Sequence, residues 1–209
     1  MSIDMHCHSR VSDGSLRIRD LVQYAKRLGI HALAIADHDT VEGLHEAEQE
    51  SKKIGITHIP AIEISGYDYK RNRKAHILGY LMDRPQDVGK ACKFMLEQRR
   101  EVSKWIVDML IHAGYPITWE FVCEIASGST SIYKQHIMHS LMELGYAVSI
   151  HDTLYRKLFA KPEDGMPGGI AYREIEYMDA KDAVEAIKKA GGVAVLAHPK
   201  GYGNIDLIP

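Results

Sequence analysis

Five short apolar runs in this chain each meet a histidine or a carboxylate at one end, and helix-like segments separate them. The first closes on His6-Cys7-His8, with Asp13 five residues later. Residues 31–36 stop at Asp37-His38-Asp39-Thr40, residues 59–62 deliver Glu63, residues 77–81 follow His76, and residues 192–197 run into His198-Pro199. Unbroken apolar runs of this length read as buried parallel strands. Alternate strand residues share a face, so the imidazoles of His6 and His8 can close on one ion while Cys7 turns into the core. An isolated His-x-His is more readily two part-buried histidines held by backbone carbonyls. Five such endings favour ligation.

Between the runs lie helical patterns at residues 17–28, stopped by Gly29, at 41–54, stopped by Gly55, and at 180–190, stopped by Gly191. The first sets Leu21, Val22, Ala25 and Leu28 at helical spacing on one side. The order is βαβαβ, the signature of an α/β fold. In barrels of parallel strands the chemistry gathers at the strand ends, where loops vary while strands fix position. One stretch interrupts the pattern. Residues 84–172 read as a helical insertion with helices at 86–112, 118–126 and 133–144 and a fourth after Asp152, against a barrel formed by residues 1–83 and 173–209. A compact helical lid is the simplest architecture for it, excluding water and choosing substrate.

The segments MHCHSRVSDG (5–14), Asp37-His38-Asp39-Thr40, Glu63-Ile64-Ser65, His76-Ile77-Leu78-Gly79-Tyr80 and Ala197-His198-Pro199 together resemble the PHP (polymerase and histidinol phosphatase) superfamily. Within it the chain is most similar to stand-alone bacterial metal-dependent phosphoesterases with a helical insertion, the group related to nucleoside 3',5'-bisphosphate phosphatase. The resemblance implies an α/β fold, a distorted (β/α)7 barrel holding two to three divalent ions. It places His6 and His8 on a first ion, bridged by Glu63 to another, Asp13 and His38 on a second, and Glu63, His76 and His198 on a third. Imidazole and carboxylate ligands suit manganese, zinc or iron, with magnesium also admitted, and no thiolate cluster points to a closed structural zinc site. Asp37 reads as a supporting residue behind the ligands. Glu63, His198 and Asp13 are the expected catalytic residues.

Departures from the family pattern are equally specific. The family completes its site with an Asp-x-His pair after two further strands, and nothing after His198 matches it, so a barrel truncated after the fifth strand is expected. The missing part then belongs to a longer chain or to another subunit; the setting of Asp206 does not match a ligand. Ala36 stands where the family usually has threonine. Ile132-Tyr133-Lys134-Gln135-His136 stands where related phosphatases carry glycine-arginine-proline-histidine, and Lys134 keeps the charge without the bidentate fork of arginine. Arg99, Arg100, Lys134 and His136 are the candidates for a second phosphate, each Arg being equally readable as a solvated helix face, and Tyr133 either stacks on a base or packs.

The resemblance implies hydrolysis of a small phosphorylated substrate by metal-activated hydroxide, with a nucleotide such as a nucleoside 3',5'-bisphosphate or a short oligonucleotide as the leading class. A histidinol-phosphate-type phosphatase and a catalytically incomplete PHP module with a binding role are the alternatives. Composition agrees with the first. A net charge of −2 provides no broad cationic surface for bulk nucleic acid. Cys7, Cys92 and Cys123 form no Cys-x-x-Cys, which fits a reducing cytoplasm, and neither a secretory leader nor a membrane-spanning run is expected. A homo-oligomer is compatible with all of this.

Overall fold

The computed structural model describes residues 2–162 and 166–207, in two compact units: Met1–Met95 with Tyr177–Pro209, and Leu96–Glu176. The first unit begins with β1 (Ser2–Cys7), α1 (Ile18–Arg27), β2 (Ile30–Ile35), α2 (Leu44–Ile54), β3 (Thr57–His58), β4 (Ala61–Ile64), β5 (Gly66–Asp68), β6 (Arg73–Lys74) and β7 (Ile77–Tyr80). Helix α3 (Pro85–His112) crosses the boundary, and α4 (Trp119–Ile125), α5 (Lys134–Glu143) and α6 (Thr153–Phe159) belong to the second unit. The chain returns through β8 (Met178–Asp179), α7 (Ala180–Lys189) and β9 (Val193–Leu196) to a 3-10 turn at Ile205–Leu207.

Strands β1, β2 and β3 pair in parallel, and an isolated parallel bridge between His38 and Glu63 continues the wall from β2 to β4. Beyond β4 the all-parallel expectation fails: β7 runs antiparallel to both β4 and β9. The reason is the connection. Parallel neighbours need a crossover, usually helical, and between β4 and β7 the chain makes only the β5–β6 hairpin, so it must come back in the opposite sense. No closed barrel forms among the described residues, where β1 pairs only with β2 and β9 only with β7.

Alternation along the strands sorts the core into layers. Leu33 and Ile35 of β2 point outward and pack with Ile18, Val22 and Ala25 of α1 and Ala47 of α2. Ala34 and Ala36 point inward, where Ala61, Leu78, Tyr80 and Ala197 complete a tight inner layer. Ile62, Ile64 and Ile77 face outward onto Val88, Cys92 and Met95 of α3 and Ala183 and Ile187 of α7. The absent threonine hydroxyl at Ala36 therefore falls in an apolar layer, where Ala36 is wholly buried.

The second unit has its own core, centred on Leu110, Ile137, Met138, Leu141 and Leu158. Thr118 caps α4, its Oγ1 accepting from the Phe121 N–H at 3.1 Å, and Asp152 caps α6 through the Leu154 N–H at 3.4 Å. Among the described residues no helix is long and apolar enough to cross a membrane.

Candidate metal centre

The inner layer explains how the candidate ligands meet. Continuing each inward register by two residues, Ala34 and Ala36 lead to His38, Ala61 leads to Glu63, and Tyr80 and Leu78 lead back to His76. Because β7 is reversed, its beginning rather than its end reaches the same mouth, which is why His76 precedes its strand while His8, His38 and His198 follow theirs.

Glu63 is the hub. Its carboxylate is 1 % exposed, with Oε2 2.9 Å from His6 Nε2, 3.1 Å from His8 Nε2 and 3.5 Å from His38 Nε2. Oε1 lies 3.0 Å from His76 Nδ1 and 2.8 Å from His198 Nε2. Asp13 closes one flank, with Oδ1 3.6 Å from His8 Nδ1 and Oδ2 4.0 Å from His38 Nε2. The imidazoles of His8 and His38 stack at 4.6 Å, and those of His6 and His198 at 5.7 Å. Burial raises the Glu63 carboxyl, but hydrogen bonds from His6, His76 and His8 and the charge of His38 outweigh it and hold it well below the usual carboxylate range. For His8 burial acts downward, and the Glu63 bond with the charges of Asp13, Glu63 and Asp37 turns the shift upward.

Donor chemistry fits divalent ions. Three sets, His6/His8/Glu63, His8/Asp13/His38 and His38/Glu63/His76, each bring ligand atoms within 4.8 Å of one another. His8 Nδ1 is buried without a hydrogen-bond partner, and Asp13 stands just beyond bonding range of it. One buried carboxylate amid imidazoles, with an orphaned ring nitrogen beside a second carboxylate, is the arrangement that cations complete.

The PHP domain pattern matches residues 4–194. This chain belongs to the PHP domain family. The chain is 40% identical over 207 residues to phosphoribosyl 1,2-cyclic phosphate 1,2-diphosphodiesterase of Eggerthella lenta, covering 99% of this chain and 77% of the relative. It is 33% identical to a 5'-3' exoribonuclease of Haemophilus influenzae, over 95% of this chain and 69% of that protein. Against the 3',5'-nucleoside bisphosphate phosphatase of Chromobacterium violaceum the identity is 30%, over 96% and 68%. A solved structure of an amidohydrolase from the same organism, with bound sulfate and no metal, superposes with a TM-score of 0.83 at 28% identity, over 97% of this chain and 68% of that one.

Behind the candidate ligands this PHP domain carries supporting groups, of which Asp37 is expected from the sequence and the serines that hold it, Asp39, Ser65 and Tyr202 are not. Asp37 does not face the cluster: its Oδ1 accepts from the Ser9 N–H at 2.8 Å and Ser12 Oγ at 2.7 Å, and its Oδ2 from Ser9 Oγ at 2.6 Å. This fastens the loop bearing Asp13 to the end of β2. Asp39, in the left-handed region at φ 60°, accepts from the Ser65 N–H at 2.7 Å and Ser65 Oγ at 2.8 Å, and that hydroxyl lies 3.5 Å from His38 Nδ1. Tyr202 sets its ring 5.0 Å from both His76 and His198. Asp206 is an ion-pair partner of Arg71, at 3.2 Å, and of Arg73.

In the second unit the four candidate substrate residues rest on aromatic or capping partners. The Arg99 guanidinium lies over the Tyr133 ring at 4.6 Å, Arg100 over Trp119 at 5.6 Å, and Lys134 over Phe159 at 5.1 Å and Tyr172 at 5.9 Å. His136 Nδ1 accepts from the Tyr133 N–H at 3.1 Å and so caps α5. Tyr133 is only 2 % exposed under that guanidinium, which removes the option of base stacking by this ring and leaves packing.

Proposed function

We propose that this PHP domain is a metal-dependent phosphoesterase acting on a small phosphorylated substrate of the nucleotide class, and the observation that carries the reading is the Glu63 carboxylate gripped by five imidazoles. The relatives are named as a phosphoribosyl cyclic phosphate diphosphodiesterase, an exoribonuclease and a nucleoside bisphosphate phosphatase, which supports the same class here. His6, His8, Asp13, His38, Glu63, His76 and His198 would hold two to three divalent ions, of manganese, zinc, iron or magnesium. Bound there, such ions supply the positive charge that steadies a phosphoryl group and makes water a competent nucleophile. Glu63 orients the imidazoles on both sides of itself. His198, the most exposed of the set, is the candidate for moving a proton at the leaving oxygen, and Asp13 for orienting the nucleophile.

Arg99, Arg100, Lys134 and His136 are proposed to recognise a second phosphate, the helical insertion at 84–172 being the substrate-selecting part of the chain. The open edges of β1 and β9 support a distorted (β/α)7 barrel whose remaining strands, with a further Asp-x-His pair, come from additional chain or a partner subunit. Three unpaired cysteines support a cytoplasmic setting.

Phosphate release from adenosine 3',5'-bisphosphate with added manganese, against a chelated control, tests the reading. Metal-dependent release is expected, and its loss in Glu63→Gln with an unchanged circular dichroism spectrum. Full activity in that variant sinks the proposed site. The cyclic phosphate named for the Eggerthella lenta relative is the second substrate to assay, because that protein shares the highest identity of the three relatives compared.

A further inference from the structure

The β5–β6 hairpin pairs with β8 in a sheet of its own, but it keeps the register of the β4–β7 ladder that carries Glu63 and follows His76, to which the Ala75 N–H to Gly66 carbonyl bond joins it. Glu63, Ser65 and Tyr67 alternate along one strand direction, and Lys74 precedes His76 by two residues on the other. Tyr67 and Lys74 are cross-strand partners. Tyr67 and Lys74 therefore lie on the face of the wall that bears the candidate ligands. At about 3.3 Å per residue, Lys74 stands roughly 7 Å and Tyr67 roughly 13 Å along the chain from those ligands.

Aromatic rings gather at this place. Tyr67 stacks on Tyr177 with ring centroids 6.1 Å apart and planes 9° from parallel, and Tyr69 tilts against Tyr67 at 4.9 Å. The Tyr69 hydroxyl donates to the Tyr177 carbonyl at 2.9 Å, and the Tyr67 hydroxyl to Asn72 Oδ1 at 2.8 Å, so the rings are held rather than loose. Tyr69 is half exposed. The Lys74 ammonium lies 5.5 Å over the Tyr177 ring, and among the described residues no carboxylate pairs with it. Lys70, Arg71, Arg73 and Lys74 outnumber Asp68 and Asp206, the carboxylates that pair within this patch.

We infer that Tyr67, Tyr69, Tyr177 and Lys74 form a binding platform for single-stranded oligonucleotide, seating the nucleotide next to the one whose phosphate reaches the metal cluster. Ordered rings on which a base can lie, joined to a cation free for the connecting phosphate, are what single-stranded nucleic acid requires, and the recognition is tolerant of base identity. The inference rests on the phosphoesterase reading for its orientation, and it narrows the substrate from a mononucleotide to a chain end.

Two measurements on the full chain separate the claims. Anisotropy of a 3'-fluorescein-labelled, 5'-phosphorylated pentaadenylate in EDTA reads the platform without hydrolysis. Kinetics with manganese give the preference for unlabelled pentamer over adenosine 3',5'-bisphosphate as a ratio of kcat/KM. Tyr67→Leu keeps apolar volume against Tyr177 and removes the ring, Tyr67→Phe keeps the ring, and Lys74→Ala removes the cation. Tyr67→Leu and Lys74→Ala are each expected to weaken pentamer binding about tenfold and to lower the ratio by a similar factor, with Tyr67→Phe restoring both. Equal pentamer affinity for Tyr67→Leu and the unmutated chain overturns the platform, as does an unmutated chain that does not bind the pentamer. Ring-dependent binding with no hydrolysis of either compound overturns the phosphoesterase reading and leaves the platform standing.

Discussion

Asp37 and Asp39 flank His38, yet both turn their oxygens onto serines rather than toward the cluster. Three donors converge on Asp37 in a setting where both Ser9 and Ser12 are fully buried, so truncating it removes the acceptor that all three share. Asp37→Ala is expected to cost about 3 kcal/mol or more in urea denaturation and to weaken manganese binding roughly 10–100-fold by calorimetric titration. Thiol chemistry gives a second test. Burial, with the nearby charges of Asp4 and Asp37, pushes the Cys7 thiol up to about 12, and burial with the charge of Asp39 raises Cys92 well above the ordinary range. A raised thiol pKa keeps the unreactive protonated form at pH 8. Iodoacetamide at that pH is expected to label Cys123 and to reach Cys7 and Cys92 only on unfolding, read by mass spectrometry.

The helices were legible in the sequence because glycines mark where they stop: Gly29, Gly55, Gly114, Gly145 and Gly191 all carry positive φ next to the predicted ends. So were the strands that carry the candidate ligands: β2, β4, β7 and β9 by their apolar content, and β1, which is Ser-Ile-Asp-Met-His-Cys, by the His-x-His at its end. Strand direction was not legible. A run of Ile77, Leu78, Gly79 and Tyr80 reads the same whichever way it lies, and only pairing with β4 and β9 fixes it. The two-residue strands β3, β6 and β8 are below the length at which alternation can be read. The roles of Ser9, Ser12, Ser65 and Tyr202 depend on partners distant in sequence, and the one usable signal was the density of hydroxyl residues around the ligand motifs. In the loop after β1, a Cβ on Gly14 would sit 2.3 Å from the His8 carbonyl oxygen, so a side chain there forces backbone to move. Gly14→Ala is expected to lower stability by roughly 1–3 kcal/mol in denaturant unfolding and to shift Asp13, seen as weaker manganese binding.

On the scale of the whole molecule, two units with separate cores make a single unfolding transition unnecessary. The candidate ligands all belong to the first unit. Manganese at a hundredfold excess over its dissociation constant is expected to stabilise that unit by about 2.7 kcal/mol and leave the helical unit where it was. Calorimetry with and without chelator checks this, and a uniform shift of the whole profile counts against separate units. The edges of β1 and β9 matter at this scale too, because Ile3, Met5, Val193 and Val195 on them are exposed apolar residues.

The reversal of β7 has a bearing on how such a molecule could be re-engineered. The hairpin is joined to the β4–β7 ladder by the bond from the Ala75 N–H to the Gly66 carbonyl at 3.0 Å, and its turn lies past the last β5–β6 pair, Asp68 with Arg73. That turn is a cassette. Because the β4–β7 ladder sets the register that holds Glu63 and His76, exchanging residues 69–72 is expected to leave that register in place while replacing the contacts of Tyr69 with Tyr177 and of Arg71 with Asp206, which makes the turn a graft point for retargeting the chain to a different ester.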